Sequence, residues 1–309
     1  MPLKNKVTII GAGMVGSTAA YSLVASDITE EIALVDINQT LVKCQVMDLQ
    51  HSMPFWGTTK IKVGSYEDIK DSRVVVVSCG AAQKPGETRI DLVKKNSGIM
   101  KEVVPKIFAQ NPNVILLMIT NPVDVLTYQA VKMFPKKKNK ILGSGTILDS
   151  ARFRFLISQT LKVNTASVHA YIVGEHGDSE VPLWSTAAIG NTPLTHFKQL
   201  TATKKKQIFH QARNAAYTII EGKQSTYYAI GAGINQIIQT ILFDKKTVLP
   251  LSHLVEGEYG IKDICLSLPV ILGAGGIVYH INPEISALEK KQLWRSAQTL
   301  KKIAKNITL

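Results

Sequence analysis

Residues 7–23 read VTIIGAGMVGSTAAYSL: four β-branched residues, glycines at 11, 13 and 16, then a run of helix formers. A β-branched run that ends in glycines and passes into a helix is a strand–turn–helix unit, the context in which G-x-G-x-x-G has a physical meaning. Gly11 permits the tight turn, Gly13 withholds the Cβ that would block a pyrophosphate, and Gly16 lets helix and strand approach closely. The helix amides and dipole then attract phosphates. By itself the glycine string is also compatible with a merely close-packed turn. The following strand, IALVD, ends in Asp36, about twenty residues past Gly16, where a carboxylate accepts hydrogen bonds from the adenosine ribose and repels a 2′-phosphate. The stretch therefore predicts an NAD site rather than an NADP site, lined by Gly11, Gly13, Met14, Val15, Gly16 and Asp36.

Outward from this unit the first half repeats it. Strands are expected at Val7–Ile10, Ile32–Val35, Ile61–Val63, Val74–Ser78, Val114–Ile119 and Ile141–Gly143, and helices near Val15–Ala25, Leu41–Gln50, Leu92–Phe108 and Val123–Met133. Six strands alternating with helices predict an α/β fold, a Rossmann-type doubly wound parallel sheet. After about Ser144 the pattern changes to a helix from Asp149 to about Leu161, then shorter strands, a glycine-rich segment and a charged helix from about Pro283 to the end. The expected division is a dinucleotide-binding domain over 1–144 and an α+β substrate and catalytic domain over 145–309.

Composition excludes several other classes. With 45% hydrophobic and 19% charged residues in 309, the chain is neither disordered nor fibrous. The beginning MPLKNKVTIIGAG carries no signal-peptide pattern, and no apolar run approaches the roughly 20 residues of a membrane helix. A cytoplasmic location without membrane association is expected. Cys44, Cys79 and Cys265 are widely separated, which argues against disulfides and thiolate metal sites and predicts packing roles and no metal. The net charge of +13 is carried by scattered lysines without interleaved aromatics; the runs Lys136–Lys138 and Lys204–Lys206 read as solvated faces, so no nucleic-acid partner is expected. The excess charge can help draw in anionic substrates.

Unusual polar residues concentrate in four segments: GAAQKPGETRIDL (80–92), ITNPVD (119–124), LDSARFRF (148–155) and IVGEHGDSE (172–180). With KQSTYYAIG (223–231) and SLPVILGAGGI (267–277) they resemble the lactate and malate dehydrogenase family over essentially the whole chain, and the four segments are most similar to its lactate branch. The resemblance implies an oxidoreductase that moves hydride reversibly between NADH and pyruvate, giving L-lactate and NAD. His176 is then the proton donor and acceptor, since an imidazole exchanges protons near neutrality. Asp149 is its partner, fixing the tautomer and favouring the charged form. Arg152, three positions later on the same helical face, suits the substrate carboxylate as a planar fork. Arg89, beside Pro85 and Gly86, is implied to be a lid residue that stabilises the developing alkoxide. Asn121 follows a strand at the carboxyl edge of the sheet and is implied to bond near the nicotinamide and the carbonyl; Thr226 closes the substrate pocket and Ile230 packs on the nicotinamide.

Gln83 separates the branches. Malate enzymes of the family carry arginine there to neutralise a second carboxylate, whereas a glutamine leaves that charge uncompensated under a closed lid, at a cost of several kcal/mol, and so favours pyruvate. Arg154 and His169 match positions at which bacterial members bind fructose 1,6-bisphosphate between subunits, implying an allosteric activator of a homotetramer; members that are not activated carry the same pair, so a structural role stands beside that reading. The sequence starts only a few residues before its first strand, without the long N-terminal arm of vertebrate members, so assembly is expected to use other surfaces. Two other readings remain open: a malate or branched 2-hydroxy-acid dehydrogenase on this scaffold, and a noncatalytic NAD-binding or RNA-binding protein.

Overall fold

A computed structural model describes residues 5–81 and 89–307, with Arg89 described by its backbone alone. The first half runs β1 (Lys6–Ile10), α1 (Met14–Ser26), β2 (Glu31–Val35), α2 (Gln39–Trp56), β3 (Lys60–Val63), β4 (Val74–Val77), α3 (Arg89–Gln110), β5 (Ile115–Met118), α4 (Val123–Met133) and β6 (Ile141–Gly143). All six expected strands are present and parallel, in the order β3-β2-β1-β4-β5-β6. Helices cover both faces. The strands VVVV (β4) and ILLM (β5) are buried at every residue, as a parallel sheet covered on both faces requires. The chain leaves β1 toward one edge and β4 toward the other, so their carboxyl ends open the crevice where doubly wound sheets bind ligands.

The second half contains α5 (Ile147–Leu161), the short strands β7 (Val168–His169), β8 (Ile172–Val173), β9 (Val181–Pro182), β10 (Ala188–Ile189) and β11 (Thr192–Pro193), then α6 (Ala202–Lys223), α7 (Tyr228–Leu242), β12 (Thr247–Glu256), β13 (Lys262–Gly273), β14 (Gly276–His280) and α8 (Ala287–Ala304). Here the expectation of shorter strands is only partly met. Two of the strands, β12 and β13, have 10 and 12 residues and extend the same sheet, with Ser252 of β12 paired to Gly143 of β6. Their apolar runs are covered on both faces, so the alternation that marks a half-buried strand is missing. Nor did the sequence pattern single out α6 or α7. The second of these packs between the sheet and α1 through its isoleucines, with Tyr228, Ala229, Ala232 and Gln236 exposed on the opposite face. The final helix starts later than Pro283, at a capping box formed by Ser286 and Glu289.

Two layers of core flank the sheet, one beneath α1, α2 and α7 and one beneath α3, α4 and α8; a third cluster lies under α5 and α6. Of the cysteines, Cys265 is buried and Cys79 half-buried, but Cys44 is exposed, so the packing role expected for all three fails there. No described helix is long and apolar enough to cross a membrane.

Candidate active site

The glycine turn has the geometry its spacing suggests. Gly11 lies at φ 110°, in a region that L side chains rarely adopt, and a Cβ there would stand 2.5 Å from the Cys79 amide nitrogen. At Gly16 a Cβ would fall 1.8 Å from the Gly11 carbonyl oxygen, so helix and strand meet there too closely for any side chain. Gly13 differs. A Cβ there would meet no protein atom within 4 Å, so packing does not require the glycine and the space before it is open to a ligand. Gly13 is also the N-cap of α1, with no side-chain cap and no acidic residue in the first turn. Amides of an uncapped helix start suit a pyrophosphate.

Asp36 does more than the motif requires. Its Oδ2 accepts from the Ala12 amide at 2.7 Å and its Oδ1 from the Asn38 amide at 2.8 Å, tying the end of β2 to the glycine turn. Each carboxylate oxygen has a second lone pair for a ribose hydroxyl. The turn-capping role and the ligand role are thus compatible in one side chain. Met14 is exposed at the helix start and Val15 half-buried, while Ile230 of α7 is buried against the same layer as α1.

The chemical centre is built from three elements. Asp149, buried in the first turn of α5, has Oδ2 2.6 Å from His176 Nδ1 and Oδ1 2.9 Å from an Arg152 guanidinium nitrogen. An ionised carboxylate only accepts, so Nδ1 carries a proton and Nε2 is left for exchange with a ligand. Burial alone would raise the Asp149 carboxyl; the charges of His176 and Arg152 and its own backbone N–H outweigh that and hold it below the usual range. In return the Asp149 charge, against the opposition of burial, lifts His176 to about 9.

Asp124, in the first turn of α4, accepts from the His176 backbone N–H at 2.7 Å and so locks the loop that carries the imidazole. Burial pushes its carboxyl up to about 6, with the nearby Ser252 hydroxyl and the His176 backbone N–H opposing. This residue closes the quoted segment ITNPVD but received no role from the sequence; its position at a helix start beside Asn121 was the available signal. The Asn121 side chain is exposed, and the Asn121 backbone carbonyl accepts from the Asn96 side-chain amide at 2.8 Å, so the loop holding it is tied to α3 as well as, through Asp124, to His176. A second missed residue is Glu180, buried and pushed up to about 8 by burial and the nearby Asp149 charge.

Thr226 is half-buried between α6 and α7. Gln83 and the Arg89 side chain lie outside the described residues. Arg154 is half-buried on α5, donates from Nε to the Ser150 carbonyl at 3.4 Å, and is lowered by burial; His169 on the neighbouring β7 is exposed. Among the described residues, no group of three or more His, Cys, Asp or Glu side chains could hold a metal ion.

A doubly wound sheet with an open-faced glycine turn, and beside it a carboxylate-bound imidazole and guanidinium, defines a dinucleotide-dependent oxidoreductase site. Residues 5–143 match the family model described as lactate/malate dehydrogenase, NAD binding domain, and residues 146–308 match its alpha/beta C-terminal domain. The chain belongs to the lactate/malate dehydrogenase family and carries that family's NAD-binding region. It is 44% identical to an L-lactate dehydrogenase of Acetivibrio thermocellus over 99% of this chain and 98% of that one, and 45% identical to one of Halalkalibacterium halodurans over 97% and 96%. Among solved structures it resembles the minor L-lactate dehydrogenase of Enterococcus mundtii in a ligands-bound form, with TM-score 0.97 at 35% identity and 99% coverage of both chains. A lactate dehydrogenase from a Medee basin deep-sea metagenome library is similar, with TM-score 0.96 at 38% identity and 99% coverage of both.

Proposed function

We propose that this chain is an NAD-dependent L-lactate dehydrogenase that interconverts pyruvate and L-lactate. The observation that carries this reading is the single Asp149 carboxylate holding His176 on one oxygen and Arg152 on the other. Gly11, Gly13, Met14, Val15, Gly16 and Asp36 hold the dinucleotide, with Asn121 and Ile230 at its nicotinamide end. When bound, NADH supplies the hydride. Arg152 orients the substrate by clamping its carboxylate in a bidentate pair. His176, charged at neutral pH, gives its Nε2 proton to the keto oxygen during reduction and takes it back during oxidation. Asp149 stabilises that charge in place. Arg89 brings a second guanidinium to the reacting oxygen, Thr226 bounds the small pocket, and Gln83 leaves no charge for a second carboxylate.

In this reading a dinucleotide domain over 1–144 precedes a catalytic domain over 145–309, with the shared sheet joining them. The enzyme works as a cytoplasmic homotetramer in fermentative glycolysis, and Arg154 with His169 forms a fructose 1,6-bisphosphate site at which the activator favours the assembled state.

Consumption of NADH with pyruvate, oxaloacetate and bulkier 2-keto acids tests the activity. Pyruvate should give the highest kcat/KM; preference for oxaloacetate, or no turnover at catalytic enzyme concentration, overturns the proposal. Repeating the pyruvate series with fructose 1,6-bisphosphate tests the activator, for which half-saturation should fall and sedimentation should shift to the tetramer.

A further inference from the structure

A cavity of about 630 Å³ lies between α6 and α8, floored by Glu180 and the start of β9. It shares no lining residue with the proposed cofactor and substrate contacts. Lys205, Lys206 and Arg213 reach it from α6 and Arg295 from α8. None of the four is in an ion pair among the described residues. Two are held by aromatic rings, Lys205 over Trp184 at 5.4 Å and Arg213 over Phe209 at 5.5 Å. Such contacts fix the cationic heads without neutralising them.

Two carboxyls face these cations. Glu289 is occupied, accepting from the backbone and hydroxyl of both Ser185 and Ser286. Glu180 is 6% exposed, and its Oε1 is buried with no hydrogen-bond partner. We propose that this cavity binds a small organic polyanion, one carrying two or more carboxylate or phosphate groups, and that Glu180 meets it as a protonated carboxyl. The unpartnered oxygen is explained if Glu180 is protonated and offers its O–H to the anion. Burial and the Asp149 charge raise this carboxyl to about 8, opposed by His176 and Arg152 on the catalytic side and Arg213 on the cavity side. An anion in the cavity stabilises the protonated carboxyl. The site is separate from Arg154 and His169, neither of which lines it.

Calorimetric titration with citrate and with pyrophosphate, each with the substrate site filled by NADH and the pyruvate isostere oxamate, tests the proposal. Saturable binding is expected, weakened at least about tenfold in the exposed double variant Lys206→Gln/Arg295→Gln, which loses charge-assisted contacts, and unchanged in Arg154→Gln. Citrate binding should weaken as pH rises through about 8, and this dependence should vanish in Glu180→Gln, which keeps a donor but does not titrate. Binding of citrate alone assigns a carboxylate ligand and of pyrophosphate alone a phosphate ligand; either supports the site. No binding of either probe, or loss with Arg154→Gln and not with the double variant, overturns it. A pH dependence retained in Glu180→Gln overturns the role of Glu180 as the protonated donor.

Discussion

Asp149 and His176, 27 positions apart in the chain, meet at 2.6 Å, and the same carboxylate holds Arg152 at 2.9 Å. One buried charge therefore tunes the imidazole and anchors the guanidinium. Asp149→Asn keeps the shape and removes the charge, so His176 should fall from about 9 toward its ordinary 6.5. Pyruvate reduction at pH 7.5 should drop about 10²–10⁴-fold, the usual range for losing a positioned acid. A pH–rate profile checks both; an upper limb that does not move would count against the pairing.

Protonation of His176 also sets the pH dependence of each direction. Reduction uses the charged imidazole and should persist up to about pH 9 and then decline, whereas lactate oxidation should rise over the same interval. For stability the raised value means that the contribution is complete below pH 6.5 and is lost as pH rises through about 9. Thermal unfolding of wild type and His176→Gln between pH 6 and 10 should show their difference shrinking with pH.

Arg152→Lys keeps the charge but loses the planar fork. The kcat/KM for pyruvate should fall about 10–100-fold, mostly through KM, because one charge-assisted hydrogen bond is lost and the carboxylate is no longer clamped. Steady-state kinetics separate this from misfolding if kcat stays within a few-fold.

Gln83→Arg should raise the oxaloacetate-to-pyruvate ratio of kcat/KM by roughly two orders of magnitude or more, since compensating a buried carboxylate is worth several kcal/mol. An unaltered ratio would remove Gln83 as the specificity residue.

At Gly16 an added methyl must displace the Gly11 carbonyl, from which it would stand 1.8 Å away. Gly16→Ala should destabilise by about 1–3 kcal/mol or more and abolish NADH binding by distorting the turn. Gly13→Ala, with open space around its Cβ, should leave Tm nearly unchanged while weakening NADH binding. Melting curves with and without NADH distinguish the two.

Local signals were enough for the first half of the fold. A strand beside glycines and a helix is decided by residues adjacent in the chain, so β1 to β6 and the helices between them were legible; His176, Asp149 and Arg152 were legible as chemistry-bearing residues through the family resemblance of their segments. The long β12–β13 hairpin was not, because strands covered on both faces carry no polar-to-apolar period to read. The roles of Asp124 and Glu180 were equally hidden. Each is an ordinary acid in the sequence, and what raises it above its usual range is burial beside other charges.

Residue order alone thus specified the doubly wound sheet and the glycine turn, because each depends on neighbours a few positions apart, while the catalytic group of His176, Asp149 and Arg152 was implied by the family resemblance of the segments that carry it. Which acid anchors the His176 backbone, and which stands over a basic cavity between α6 and α8, came only from the folded chain. Those relationships depend on distance and desolvation between segments remote in sequence, and a linear pattern does not encode either.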